Sequence, residues 1–340
     1  MQESEEIISS LKYFNESEVP YKIICAGSLL GVKLKRMIKA FPVGKVDIIN
    51  MQPMDFEEFL MATLGNDSIE IIKEHYEKNM PIVDVMHNEL LSLYRLYLCI
   101  GGMPAAINNI LSVDKDIMRY NKKIVKNIIS GYLSDMKKYV KDATETIRIE
   151  NIYNSIPTQI GNKCNKFQYS KVRSGARSKN YETALQWLLS SKMINKICLL
   201  KSAQNPPEAF KDEEVFKLYL SDVGILNLIL DINFEDIILD NEFIYKGDIA
   251  ENYVEQQLNM NFEHIYYWKN NNTAEVDFII KNKDGLIPIE VKAGDSTKSK
   301  SLNLYMQQFK PRYAIKICSK NFGVTNGIKT IPLYATFLIK

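Results

Sequence analysis

The hydrophobic and polar positions divide the chain into stretches of different character. Short apolar runs at residues 21–26 and 45–50 predict two buried strands of a parallel sheet. Residues 56–139 instead repeat apolar side chains at helical spacing almost throughout. We therefore predict a partial α/β unit over residues 1–55 and a helical subdomain over residues 56–140.

The middle of the chain combines helical patterns with a hairpin. Three helical patterns are followed by two strand-like runs, at residues 194–200 and 216–220. Three helices and a β-hairpin within about 75 residues are typical of a winged helix. Residues 141–233 are therefore predicted to form a winged-helix domain.

The last part of the chain alternates strands with helices, which predicts an α+β domain over residues 234–340. Within it, residues 274–280 alternate as a half-buried strand, residues 281–285 predict a hairpin turn, and residues 286–292 predict the return strand. The chain as a whole is thus predicted to be a multidomain protein of mixed α/β and α+β class.

Two registers are open for this hairpin. A turn centred on Lys283-Asp284 places Asp277 opposite Glu290, and a turn centred one residue later places Asp277 opposite Lys292. Residues that oppose each other, and residues two apart on one strand, share a face of the sheet. Either register is therefore predicted to gather these three residues on one face. Glu251, on the preceding helix, is expected to complete the cluster.

Two carboxylates beside a lysine suit the cleavage of a phosphodiester. Asp277 and Glu290 offer the oxygen ligands that Mg²⁺ prefers, and a bound metal makes hydroxide from water. Lys292 would orient or deprotonate the attacking water and offset the developing negative charge. The alternative is an exposed hairpin face with a simple Glu–Lys ion pair, which stabilises a protein little.

The charge of the chain is distributed unevenly. The 43 basic and 41 acidic residues give a net charge of +2. Residues 163–201 alone hold nine basic residues and one acidic residue, a charge of +8, which leaves the other 301 residues at −6. Four of these basic residues flank the start of the third helix, where a winged helix contacts DNA phosphates: Lys171, Arg173, Arg177 and Lys179. We predict DNA binding here, with a protein-interaction module as the alternative.

Composition excludes several other classes. A hydrophobic share of 46% and a charged share of 25% are those of an ordinary globular protein. No apolar run approaches the ~20 residues that span a bilayer, and the acidic N-terminus does not resemble a signal peptide. We predict a cytoplasmic protein without a membrane partner. The five cysteines and three histidines are spaced too widely to indicate a zinc site or a disulfide framework.

The candidate acidic residues resemble a known motif. Glu251, Asp277 and then Glu290-Val291-Lys292 resemble the PD-(D/E)XK nuclease motif, with Val276 where that motif has a proline. The resemblance implies a nuclease-like fold for the last domain. It also implies Glu251, Asp277, Glu290 and Lys292 as catalytic residues, with Mg²⁺ held by Asp277 and Glu290.

The whole chain also resembles a larger family, the prokaryotic AAA-type ATPases that carry a C-terminal domain of unknown function with this nuclease-like fold. The segments that carry the resemblance occur in the same order as in that family: IICAGSLLGV, FPVGKVDIINMQPMDFEEF, YLCIGGMPAAI, FQYSKVRSGARSKNYETALQWLLSSKMINK, FKLYLSDVGIL and EVDFII…IPIEVKAG. The resemblance implies that residues 1–55 are the end of an AAA-type core and residues 56–140 its helical lid.

The sequence lacks the nucleotide-binding motifs of those ATPases. No G-x-x-x-x-G-K-[ST] loop occurs, and no nucleotide-binding residue is predicted. We therefore expect that the chain alone binds no ATP. It would correspond to a family member that starts late, through truncation, a split gene or a mis-called start. Its expected partners are DNA, further copies of itself, or a separate chain that carries the P-loop.

These observations predict a DNA-associated protein of the AAA-type family with a Mg²⁺-dependent nuclease domain or a decayed relative of one. Two alternatives stay open. One is a non-catalytic module that binds DNA or protein through a degenerate nuclease fold. The other is one half of a split ATPase.

Overall fold

The structure is a computed structural model that describes residues 4–19, 22–27, 44–140, 142–161, 166–270, 274–294 and 299–340. Its first helix, α1 (Glu5–Asn15), begins after Ser4, whose hydroxyl accepts the backbone N–H of Ile7. Residues 22–27 and 46–50 form no strand and lie mostly exposed, with Ile24 98% and Ile49 89% accessible to solvent.

The prediction of two buried strands is therefore wrong for the described residues of both runs. A buried parallel strand needs hydrogen-bonded neighbours and a covering layer on each face. Neither run pairs with any described strand. The intervening residues 28–43 of the predicted α/β unit lie outside the described part of the chain.

The helical pattern after residue 55 is confirmed. An Asp55–Glu58 capping box starts the first of these helices, because each side chain accepts the other residue's backbone N–H. The region contains α2 (Phe56–Leu64), α3 (Asn66–Lys78), α4 (Asp84–Ile100), α5 (Pro104–Ser112), the 3₁₀ turn Ile117–Arg119 and α6 (Lys123–Tyr139). None of the described helices combines the length and apolar character needed to span a bilayer.

The middle of the chain follows the predicted order of three helices and a hairpin. Its elements are α7 (Ala143–Gly161), α8 (Tyr169–Val172), α9 (Ser178–Ser190), β1 (Ile194–Leu200) and β2 (Lys211–Leu220). The backbone N–H of Phe167 donates to the carbonyl of Phe216, which ties the segment before α8 to β2. Buried Trp187 and Leu188 on α9 pack into the main core.

One mixed sheet runs through the middle and the end of the chain. After α10 (Val223–Ile229), α11 (Phe234–Ile238) and α12 (Lys246–Asn261) come β3 (Ile265–Asn270), β4 (Ala274–Asn282), β5 (Gly285–Val291), α13 (Lys300–Phe309), β6 (Ala314–Cys318), β7 (Gly323–Thr325), β8 (Ile328–Pro332) and the 3₁₀ turn Leu333–Leu338. The strand order is β2-β1-β3-β4-β5-β6-β8-β7, and β1 pairs with β3 in parallel. The hairpin that was predicted to be a wing thus continues the sheet of the last domain.

Two layers cover this sheet. On one face, α12 and the helical region form a core in which the rings of Phe56, Tyr94, Tyr97 and Tyr253 contact one another edge to face. On the other face, α13 packs on β3 and β4. The chain is therefore a mixed α/β protein with a helical region and an eight-stranded sheet.

Candidate functional site: a charged cavity and a basic surface

A cavity of about 390 Å³ lies where β2, α7 and the first turns of α12 meet β4 and β5. The hydrogen-bonded pairing of β4 with β5 reaches Phe278 and Ile289 and is not continued beyond them, so the two strands separate beside the cavity. The charged residues in its lining are Lys166, Lys217, Asp248, Glu251, Glu275, Asp277 and Lys292.

The structure brings together three of the four residues predicted from the nuclease-like motif. Glu251, Asp277 and Lys292 line this cavity, whereas Glu290 does not. The register of the hairpin is the first of the two predicted, because Asn282 pairs with Gly285 across the turn. Glu290 is therefore separated from Asp277 even though the two strands have the register that would place these residues opposite each other.

A β-bulge determines on which face of the sheet Asp277 lies. The pairing of β3 with β4 shifts by one residue at Tyr267, so that Asp277 and Phe278 together oppose this single residue. Asp277 consequently lies on the face of Phe278, beside the cavity. Its Oδ2 accepts the backbone N–H of Val291 at 2.7 Å, a group that would otherwise bond within the sheet.

Glu290 lies on the other face of the sheet. Its neighbours Ile289 and Val291 pack into the main core, and alternation along β5 turns Glu290 away from them. Glu290 is only 4% exposed and is paired in register with Lys316 of β6. Its Oε1 accepts from Lys292 Nζ at 2.7 Å, while its Oε2 has no hydrogen-bond partner among the residues that the structure describes. The expected common face for Asp277 and Glu290 is therefore not formed.

Lys217 is the central residue of the cavity, and the sequence analysis did not identify it. Its Nζ lies 3.0 Å from Glu251 Oε1 and 2.6 Å from Glu275 Oε1, and its side chain is 11% exposed. Tyr219, two residues further along β2, donates to the same Glu251 oxygen at 2.5 Å. A signal was present in the sequence, since Lys217 is a charged residue within the apolar run of β2.

Burial and charge shift the proton equilibria in this cluster. Burial raises the pKa of Asp277, and the nearby charge of Glu251 raises it further. Burial alone would lower the pKa of Lys217, but the charges of Glu251 and its neighbours outweigh burial and raise it well above its usual value. Lys217 therefore holds its proton more tightly than an exposed lysine, and Asp277 binds a proton more readily than an exposed aspartate.

The Mg²⁺ implied by the motif does not fit the residues as they are placed. Carboxylates are suitable ligands, but Glu290 is outside the cluster of Asp277, and the ammonium of Lys217 lies between Glu251 and Glu275. Throughout the described ranges, no group of three acidic, histidine or cysteine side chains has the spacing to hold a metal ion. We therefore derive no catalytic step through a metal.

The predicted DNA-binding residues form a second feature, on the surface around the start of α9. We call Lys171, Arg173, Arg177 and Lys179 the basic quartet. All four are exposed, and none forms an ion pair with any residue that the structure describes. Arg177 immediately precedes the first turn of α9, where the helix dipole adds positive potential. The quartet can therefore meet an anionic surface without first breaking internal ion pairs.

Comparisons with known proteins match two parts of the chain. Residues 91–236 match the family model of a domain of unknown function, DUF8612, and residues 246–336 match that of another, DUF4143. No curated protein and no solved structure matches the chain significantly. The second match covers the whole of α12 and the strands β3 to β8 that follow it. DUF4143 is in general found in AAA-ATPase-associated proteins, so the end of this chain is similar to a domain of such proteins.

Proposed function

We propose that the chain is a DNA-associated protein that binds duplex DNA through the basic quartet. In this proposal residues 141–233 act as a winged helix, and its hairpin continues into the sheet of a nuclease-like fold without catalytic activity. The observation that carries the proposal is the exposed quartet, which stands free of ion pairs with described residues.

The chemistry of the quartet suits a phosphate backbone. Arginine forms bidentate hydrogen bonds to phosphate oxygens, and lysine offers a compact positive charge. Neutralising phosphates releases condensed counterions, so binding through such residues weakens steeply with salt. Contacts of this type position a protein on the duplex without reading its sequence.

Salt-dependent binding tests the proposal directly. We expect the full chain to bind a fluorescein-labelled duplex in an anisotropy titration, and K171A/R173A/R177A/K179A to bind at least about tenfold more weakly at low salt. The slope of log affinity against log salt should fall by about 3.6 in magnitude, because about 0.9 counterions are released for each of the four phosphate contacts.

The control replaces four exposed lysines at other places on the chain, in the variant K281A/K283A/K300A/K320A. It removes the same formal charge, so a general loss of positive charge would weaken both variants equally. Equal affinities for the two variants, or no binding by the unaltered chain at low salt, would contradict the proposed surface.

The lack of catalysis is a separate part of the proposal. Its support is the separation of Glu290 from Asp277 and the ion pairs of Lys217. Incubation of the full chain with plasmid, linear and single-stranded DNA in Mg²⁺ or Mn²⁺ should leave each substrate intact. Cleavage that E290A and K292A both abolish would instead assign the nuclease activity that the motif implies.

A further inference from the structure

The carboxylates of the cavity form a cluster that takes no part in the proposed DNA binding. Three elements supply its members: Glu251 from α12, Glu275 and Asp277 from β4, and Lys217 from β2. The Lys217 ammonium contacts one oxygen of Glu251 at 3.0 Å and one of Glu275 at 2.6 Å. It also lies 5.2 Å from the centre of the Tyr267 ring.

The described partners of this ammonium all favour a cation. Two carboxylates and the negative face of an aromatic ring surround it, and a side-chain exposure of 11% leaves little water to screen them. Mg²⁺ would require oxygen ligands at about 2.0–2.1 Å in the same space. An ammonium already within hydrogen-bond distance of both carboxylates excludes a metal ion from that position.

We infer that Lys217 is a built-in counter-ion that takes the place of a divalent cation in the cluster of Glu251, Glu275 and Asp277. The cation is attached to β2, and β2 reaches the cluster only because the β1–β2 hairpin joins the sheet through β3. The fold itself thus supplies a positive charge to the carboxylate cluster.

Around Lys217 the carboxylates do not have the spacing to hold a metal ion, and removal of the ammonium alone should allow them to close around a divalent cation. Lys217→Met keeps most of the length of the side chain and removes its charge, which leaves Glu251, Glu275 and Asp277 facing an unoccupied volume. We expect this variant to bind one Mn²⁺ per chain at least about tenfold more tightly than the unaltered chain does, because hard cations seek clustered carboxylate oxygens. Electron paramagnetic resonance of free Mn²⁺ measures the binding without any reaction.

Lys211 provides a matched control on the same strand. Its Nζ also contacts two carboxylates, Glu208 at 2.6 Å and Glu213 at 3.0 Å, but at the surface and outside the cavity. K211M should gain no Mn²⁺ site. The double variant K217M/E275Q should lose the site that K217M gains, which would locate the bound ion in the cluster.

Each remaining outcome supports or overturns the inference. Stoichiometric Mn²⁺ binding by the unaltered chain that E251Q removes would overturn it, and so would a folded K217M that binds no more Mn²⁺ than the unaltered chain. If K217M is unfolded by circular dichroism in chelator, the readout becomes refolding on addition of Mn²⁺. Recovery of the folded spectrum supports the inference, and failure to recover overturns it.

Discussion

At the scale of single residues, burial decides the protonation of several acidic groups. Glu255 on α12 is buried, and its Oε2 accepts a hydrogen bond from Asn195 at 3.0 Å. Burial raises the pKa of Glu255 to about 8, and the bond from Asn195 offsets only part of this rise. Glu255 therefore carries a proton at neutral pH in the folded chain.

This shift makes the stability of the chain depend on pH. The pKa of Glu255 is raised from 4.5 in the unfolded chain to about 8 in the folded chain, so the folded state binds the proton more tightly. The stabilisation is complete below the unfolded value and is lost as the pH rises through about 8. We expect E255Q, which stays neutral, to gain up to about 4–5 kcal/mol relative to the unaltered chain between pH 5 and pH 9.

Urea unfolding at several pH values checks this expectation. Gln keeps an oxygen that accepts from Asn195, so the two proteins should differ little near pH 5. Exposed Glu89 on α4 provides the control, since E89Q should follow the unaltered chain. A stability difference between E255Q and the unaltered chain that does not change with pH would contradict the assigned shift.

At the scale of secondary-structure elements, two helices approach closely where α10 begins. Asp222 precedes α10, and its Oδ2 accepts the backbone N–H of Gly102 at 2.6 Å just after α4. A Cβ atom on Gly224 would lie 2.4 Å from the carbonyl oxygen of Ile100. The contact between α10 and the end of α4 therefore requires a glycine at position 224.

Two helical glycines give opposite expectations for the same substitution. G224A should lower the free energy of unfolding by about 1–3 kcal/mol, because the new methyl group forces the helices apart. An added Cβ at Gly131 in α6 would meet no described atom within 4 Å apart from its chain neighbours and the backbone of its own helix, so G131A should raise stability by about 0.5–1 kcal/mol. Chemical denaturation measures both. A stable G224A would show that the α4–α10 contact yields easily.

Some of these elements could be predicted from the sequence, and others could not. Helical periodicity over residues 56–139 and the two-residue hairpin turn were predictable because they depend on local spacing alone. The bulge at Asp277 was not, since the run from Ala274 to Ile280 alternates regularly and gives no sign of an extra residue. The apolar runs at 21–26 and 45–50 have strand composition, but composition does not supply the neighbouring strands that a buried strand needs.

At the scale of the whole molecule, long-range pairing decides the composition of the site. Cys198 and Leu199 of β1 pair in parallel with Tyr266 and Tyr267 of β3, across the boundary predicted at residue 233. Such a pairing leaves no local pattern in the sequence. It brings Lys217 to the acidic residues of the last domain, which explains why Glu251 and Asp277 were predicted and Lys217 was not.

A sheet shared across that boundary predicts one cooperative unit. The chain has two tryptophans, both buried: Trp187 on α9 and Trp268 on β3. W268F leaves Trp187 as the fluorescent tryptophan, in the middle of the chain. W187F leaves Trp268, in the last part of the chain. In each variant we expect tryptophan fluorescence and far-ultraviolet circular dichroism to give the same urea midpoint, because a shared core and sheet unfold together.

The two substitutions will themselves lower stability, by about 1–3 kcal/mol, so each variant is compared only with itself. If the predicted winged helix and the last domain unfolded independently, fluorescence would follow one part while circular dichroism followed both. The midpoints would then differ, and in opposite directions for the two variants. Coincident midpoints in both variants would mean that the β1–β3 pairing couples the basic quartet and the charged cavity within one folding unit.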